Sequence, residues 1–92
     1  MIQSFNCPET AAIFSGKRSK RFVNIAAVAE RKLQMLDSAA TLDFLRFPPG
    51  NRLEALLGDR KGCYSIRIND QWRICFVWTE AGPAEVEIVD YH

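Results

Sequence analysis

Hydrophobic and polar positions alternate with two different periods along this chain, and the change of period divides it. From Phe22 to Leu36 the apolar residues Phe22, Ile25, Ala29, Leu33 and Leu36 recur at spacings of three and four. That spacing puts them on one stripe of a helix predicted over 22–36, with Glu30, Arg31, Lys32 and Gln34 away from it. Further on the period falls to two. Tyr64, Ile66 and Ile68 alternate with Ser65, Arg67 and Asn69, and Trp72, Ile74, Phe76 and Trp78 alternate with Arg73, Cys75 and Val77. These read as strands of a hairpin, each with one apolar and one polar face.

Shorter elements fill the remainder. Ile2 to Phe5 alternates briefly and predicts an N-terminal edge strand. Pro8 and Glu9 suit the first turn of a short helix that Gly16 stops. Leu42, Phe44, Leu45 and Phe47 predict a second apolar patch on a helical turn, broken by Pro48-Pro49-Gly50. Leu53–Leu56 reads as a short strand, Gly58–Gly62 and Ala81-Gly82-Pro83 as turns, and Ala84–Tyr91 as a last strand. Helices followed by a meander predict an α+β fold: two N-terminal helices packed on one face of a small antiparallel sheet. At 92 residues the expectation is a single domain spanning 1–92.

The hairpin register carries chemical information. With Asn69-Asp70-Gln71 as the loop, Ile68 faces Trp72, Ile66 faces Ile74 and Tyr64 faces Phe76, so the apolar face is uniform. The same register sets Arg67 opposite Arg73 on the other face. Like charges directly across a strand pair are unfavourable. An anionic ligand would offset the repulsion, and so would acidic neighbours such as Glu85 or Glu87. A basic sheet face suggests phosphate, because the guanidinium fork binds phosphate bidentately.

Overall charge is +1, which hides a segregation. Residues 17–73 hold all twelve basic side chains and six acidic ones, a net of +6, whereas 79–92 hold four acids and no base. The run Lys17-Arg18-Ser19-Lys20-Arg21 is either a phosphate- or partner-facing patch or a solvated segment before the helix. No run of apolar residues approaches the roughly 20 that a membrane helix requires. The first residues lack the pattern of a secretory signal, so a cytoplasmic address is expected. Cys7, Cys63 and Cys75 show no metal-ligand spacing, and one histidine does not complete a zinc site with them; no cofactor is expected.

The segments Leu53-Glu54-Ala55-Leu56-Leu57-Gly58-Asp59-Arg60-Lys61-Gly62, Tyr64-Ser65-Ile66-Arg67, Gln71-Trp72-Arg73-Ile74-Cys75-Phe76 and Asp90-Tyr91-His92 resemble the HigB branch of the RelE/ParE toxin superfamily, closest to HigB/GraT-type toxins. The resemblance runs over nearly the whole chain. It implies the toxin of a bacterial toxin–antitoxin pair, one that enters the ribosomal A site and cuts mRNA. The implied partners are the ribosome, mRNA and a HigA/GraA-like helix-turn-helix antitoxin, with no membrane and no small-molecule cofactor. It also implies that Arg73 binds phosphate and that Tyr91 and His92, preceded by Asp90, lie at the scissile nucleotide. Some relatives carry histidine at the position of Glu54 and lysine at that of Leu57, which leaves the general base open between Glu54 and His92. Arg67, Arg60, Lys61, Lys17, Arg18 and Lys20 are the further candidates for RNA phosphate contacts. Two other functions fit the same fold: a ParE-like poison of DNA gyrase, and a module that binds RNA or protein without chemistry.

Overall fold

In a computed structural model, residues 1–56 and 62–90 are described. Helix α1 (Pro8–Phe14) starts with Pro8 in its first turn, where the missing N–H costs nothing, and with Glu9 at its positive end. Gly16, at φ +79°, closes it. The Gly16 amide donates to the Ile13 carbonyl at 3.0 Å and the Lys17 amide to the Ala12 carbonyl at 2.8 Å. This is a Schellman end, and only glycine takes the left-handed conformation without penalty.

Helix α2 (Ala26–Ser38) begins four residues later than the apolar stripe predicts. Phe22 and Ile25 are nevertheless buried with Ala29, Leu33 and Leu36. They stand on turns ahead of the helix, and a turn spaces its side chains much as a helix does, so the stripe runs on while the helical backbone does not. The segment after α2 forms a 3₁₀ turn, Leu42–Arg46, and only its Leu45 is buried. The expected helical turn is thus present, but its apolar residues divide: Leu45 and Leu42 pack on the core, whereas Phe44 and Phe47 are 52% and 66% exposed.

Four antiparallel strands follow in the order β1-β2-β3-β4: Glu54–Ala55, Cys63–Arg67, Trp72–Thr79 and Gly82–Asp90. The β2–β3 register pairs Tyr64 with Phe76, Ile66 with Ile74 and Arg67 with Arg73, as the alternation predicts. Asn69 sets that register: its Oδ1 accepts from the Gln71 and Trp72 amides at 2.9 and 2.8 Å, closing an Asx turn. The next turn is shorter than expected. Gly82 and Pro83 belong to β4, opposite Thr79 and Trp78. Gly82, at φ +130°, lies against the Met1 backbone, where a Cβ would come within 2.4 Å of the Met1 carbonyl oxygen.

A bulge interrupts the β3–β4 ladder between Cys75 and Val77. Glu85, at φ +52°, sits in the part of β4 that carries the additional residue. The N-terminal segment joins β4 there, but it is not the strand expected over 2–5. It makes one parallel bridge, Phe5 with Val86, flanked by bonds from Val86 N to Ser4 O and from Asn6 N to Val86 O, both 3.0 Å. Pairing stops because Thr10 of α1 takes the next donor: Ile88 N–H bonds to Thr10 Oγ1 at 3.1 Å, and Thr10 is fully buried. The outer edge of β4 is thereby covered.

Ile66, Ile68, Ile74, Phe76, Val86 and Ile88 of the sheet region share one core cluster with Ile13, Phe22, Ile25, Ala29, Leu33, Leu36 and Leu45. The opposite face carries the polar residues.

Candidate functional site

Strand alternation sends Glu54, Ser65, Arg67, Arg73, Cys75 and Glu87 to the face away from that core. Arg73 stands at the centre, flanked by Arg67 on β2 and Val89 on β4. It is not a solvent-facing arginine but 6% exposed. Its Nε donates to Ser65 Oγ at 2.8 Å, and its Nη2 donates to the Arg52 carbonyl at 2.5 Å and the Ser65 carbonyl at 3.2 Å. Its Nη1 turns toward the Glu54 carboxylate at 3.9 Å. Glu54 is half exposed, so it stands between the buried guanidinium and solvent.

The wall behind Arg73 is the segment 47–52. Arg52 adopts a left-handed conformation at φ +44°, unusual for a side chain of its size, and this turns its carbonyl to Arg73. Asn51 holds the segment in place. It is fully buried, and its Nδ2 donates to the Leu45 and Phe47 carbonyls, each at 3.1 Å, and contacts Met35 Sδ. Its Oδ1 accepts from Lys32 Nζ on α2. Burial, then Arg31 beside it on α2, then Arg67 on the sheet lower the Lys32 pKa.

Arg67 and Arg73 oppose one another as expected, and an acid meets each, though not the Glu85 or Glu87 that the sequence suggests: Asp70, three residues on, forms an ion pair with Arg67 Nη2, and Glu54 of β1 faces Arg73. Asp90 closes β4 opposite Trp72, one residue from Arg73, and accepts from Gln71 Nε2 at 3.1 Å. Arg73, Arg67 and Glu54 are therefore gathered on one face, whereas Asp90 pairs with Trp72 and so belongs by alternation to the other face of the sheet. Tyr91, His92, Arg60 and Lys61 lie outside the described residues, as does most of the 58–62 turn. The basic run is elsewhere. Arg18 and Lys20 line a groove with Pro8, Glu9 and Ala12 of α1, and Lys17 lies with Ala26, Ala27 and Glu30 of α2.

Sequence reasoning missed Ser65, Asn51, Arg52 and Lys32. Ser65 was discoverable, since the register puts it beside Arg67 on the polar face; the others act through contacts distant in the chain. Cys75 is buried, and with Cys63 and Glu87 it lines a cavity of about 180 Å³. Among the described residues no group of three or more His, Cys, Asp or Glu side chains is arranged to hold a metal ion.

Two helices and a four-stranded antiparallel sheet, with a buried arginine on the sheet's polar face, make up this architecture. The profile of the HigB-like toxins, described as the RelE-like toxin of the type II toxin–antitoxin system HigB, matches residues 13–92. The chain belongs to this family. It is 52% identical over 62 residues to Toxin HigB-1 of Vibrio cholerae, a match covering 67% of this chain and 64% of that protein. It is 36% identical over 63 residues to an uncharacterized protein of Haemophilus influenzae, covering 68% of this chain and 62% of that one. The matched region thus spans less than two thirds of either relative's length.

Proposed function

We propose that this protein is the toxin of a type II pair and that it cuts mRNA on the ribosome, using the polar face around Arg73. The observation that carries this reading is the buried guanidinium, oriented by hydrogen bonds to Ser65 and the Arg52 carbonyl and facing the Glu54 carboxylate. A pre-oriented cation in a partly desolvated site stabilises charge that develops during a reaction far better than a mobile surface arginine does.

RNA supplies its own nucleophile. The 2′-oxygen attacks the adjacent phosphorus, the bond to the 5′-oxygen breaks, and a 2′,3′-cyclic phosphate and a 5′-hydroxyl result. The step requires a base for the 2′-OH proton, a cation for the phosphorane-like charge and an acid for the departing oxygen. Arg73 is the cation, and Arg67 reinforces the field. Glu54, beside Nη1, takes the 2′-OH proton or orients the group that does. His92 carries the proton to the leaving oxygen, since an imidazole titrates near working pH. Tyr91 stacks on the nucleotide at the cut. The ribosome positions the mRNA, which lowers the demand on the protein's own groups. Cytoplasmic action and neutralisation by a HigA-like helix-turn-helix antitoxin accompany this function.

Primer extension on mRNA translated in a purified system tests the reading. Cuts that need both the protein and active ribosomes are expected. Intact mRNA together with poisoned gyrase would overturn it in favour of a ParE-like activity.

A further inference from the structure

The reading above requires one phosphate subsite, at Arg73, but the fold brings a second cation to the same wall. Lys32 of α2 and Arg73 of β3 are anchored on consecutive residues: the ammonium donates to Asn51 Oδ1 and the guanidinium to the Arg52 carbonyl. Arg67 stands opposite Arg73 in the ladder and, after burial and Arg31, is the third influence that lowers the Lys32 pKa. Three cations from three elements thus lie along this wall, with Glu54 facing Arg73 and Asp70 paired with Arg67.

Holding like charges together costs free energy unless an anion joins them. Nothing in the folding of α2 requires Lys32 to turn inward; it lies off the apolar stripe. Its ammonium has three donors, and Asn51 Oδ1 accepts only one. Asn51 itself is fully buried, with both polar atoms of its side chain engaged.

We infer that Lys32 and Arg67 form a second phosphate subsite, which takes the phosphodiester next to the one held at Arg73. This inference rests on the proposed RNA substrate and specifies how its backbone is gripped. Two adjacent phosphate subsites would orient the RNA strand along the face, where one alone would let it pivot. Base identity plays no part, because phosphate contacts position the chain without reading sequence.

The test compares two uncleavable probes, a 2′-O-methyl dinucleotide with one phosphodiester and a trinucleotide with two, in wild type, Lys32→Gln and Lys32→Arg. Gln keeps a donor for Asn51 without the charge; Arg keeps the charge. Wild type is expected to bind the trinucleotide more tightly, with a log–log salt slope steeper by about 0.7 for the added single-strand phosphate. Lys32→Gln should lose that increment while binding the dinucleotide as wild type does, and Lys32→Arg should retain it. Equal slopes for wild type and Lys32→Gln, or equal loss on both probes, would overturn the subsite. Ribosome-dependent cleavage by the wild type is measured in parallel. Cleavage without a length increment removes the inference alone, whereas absence of cleavage removes the reading beneath it.

Discussion

Replacing Ser65 by alanine perturbs the arginine without touching it. Ser65 is fully buried, and its hydroxyl accepts from Arg73 Nε at 2.8 Å. Deleting one hydrogen bond to a charged group costs about 1.5–3 kcal/mol, and here the donor left behind is buried, which favours the upper half of that range. The Ser65 and Arg52 carbonyls still hold Nη2, so the guanidinium stays in the site but loses the contact on its inner edge. For a domain of this size, each kcal/mol lowers Tm by about 4–8 °C. A fall of about 9–24 °C is expected, read by denaturation with Trp72 and Trp78 as fluorescent reporters. Single-turnover cleavage on programmed ribosomes should slow about tenfold, since about 1.4 kcal/mol of lost transition-state stabilisation corresponds to that factor. Wild-type stability together with wild-type cleavage would refute the claim that Ser65 orients Arg73.

Three further outcomes follow from other parts of the fold. Thr10→Val removes the acceptor for the buried Ile88 amide; it should cost about 1–3 kcal/mol and speed hydrogen exchange at Ile88 selectively. Gly82→Ala combines φ +130° with a clash against the Met1 carbonyl and should destabilise by about 1–3 kcal/mol, seen as a lower denaturant midpoint with unchanged m. Lys32 has a lowered pKa in the folded state, for which burial is the first cause. Protonation of Lys32 therefore opposes folding below its folded pKa, and the opposition is relieved as pH rises from there toward the ordinary lysine value. The stability of wild type relative to Lys32→Met should rise with pH across that window, measured by denaturant melts at matched ionic strength; a flat difference would contradict the burial of this ammonium.

The hairpin and its paired arginines were legible because a period-two pattern and an Asn-containing loop act locally, and one register satisfies both. The outset of α2 was not legible, since Phe22 and Ile25 continue the stripe from turns that periodicity does not distinguish from helix. The Ile2–Phe5 segment alternates like a strand, yet Thr10 takes the next donor of β4 and leaves it one bridge. The surroundings of Arg73 were the least legible. Asn51 and Arg52 follow a Pro-Pro-Gly break and look like loop, but burial of Asn51 and the left-handed turn at Arg52 supply an acceptor for a side chain 21 residues away. Such a contact leaves no periodic signature. The opposed Arg67 and Arg73 called for acidic neighbours or an anion, and the acids that meet them are Asp70 and Glu54, not Glu85 or Glu87.

The account depends on Arg73 stabilising charge at a cut phosphate, and single-turnover cleavage of ribosome-bound mRNA by Arg73→Ala, with its fold verified by circular dichroism, tests that most directly. Loss of a hundredfold or more in rate is expected, in keeping with removal of one preorganised charge-stabilising group. A folded Arg73→Ala variant that cuts at the wild-type rate would contradict the account.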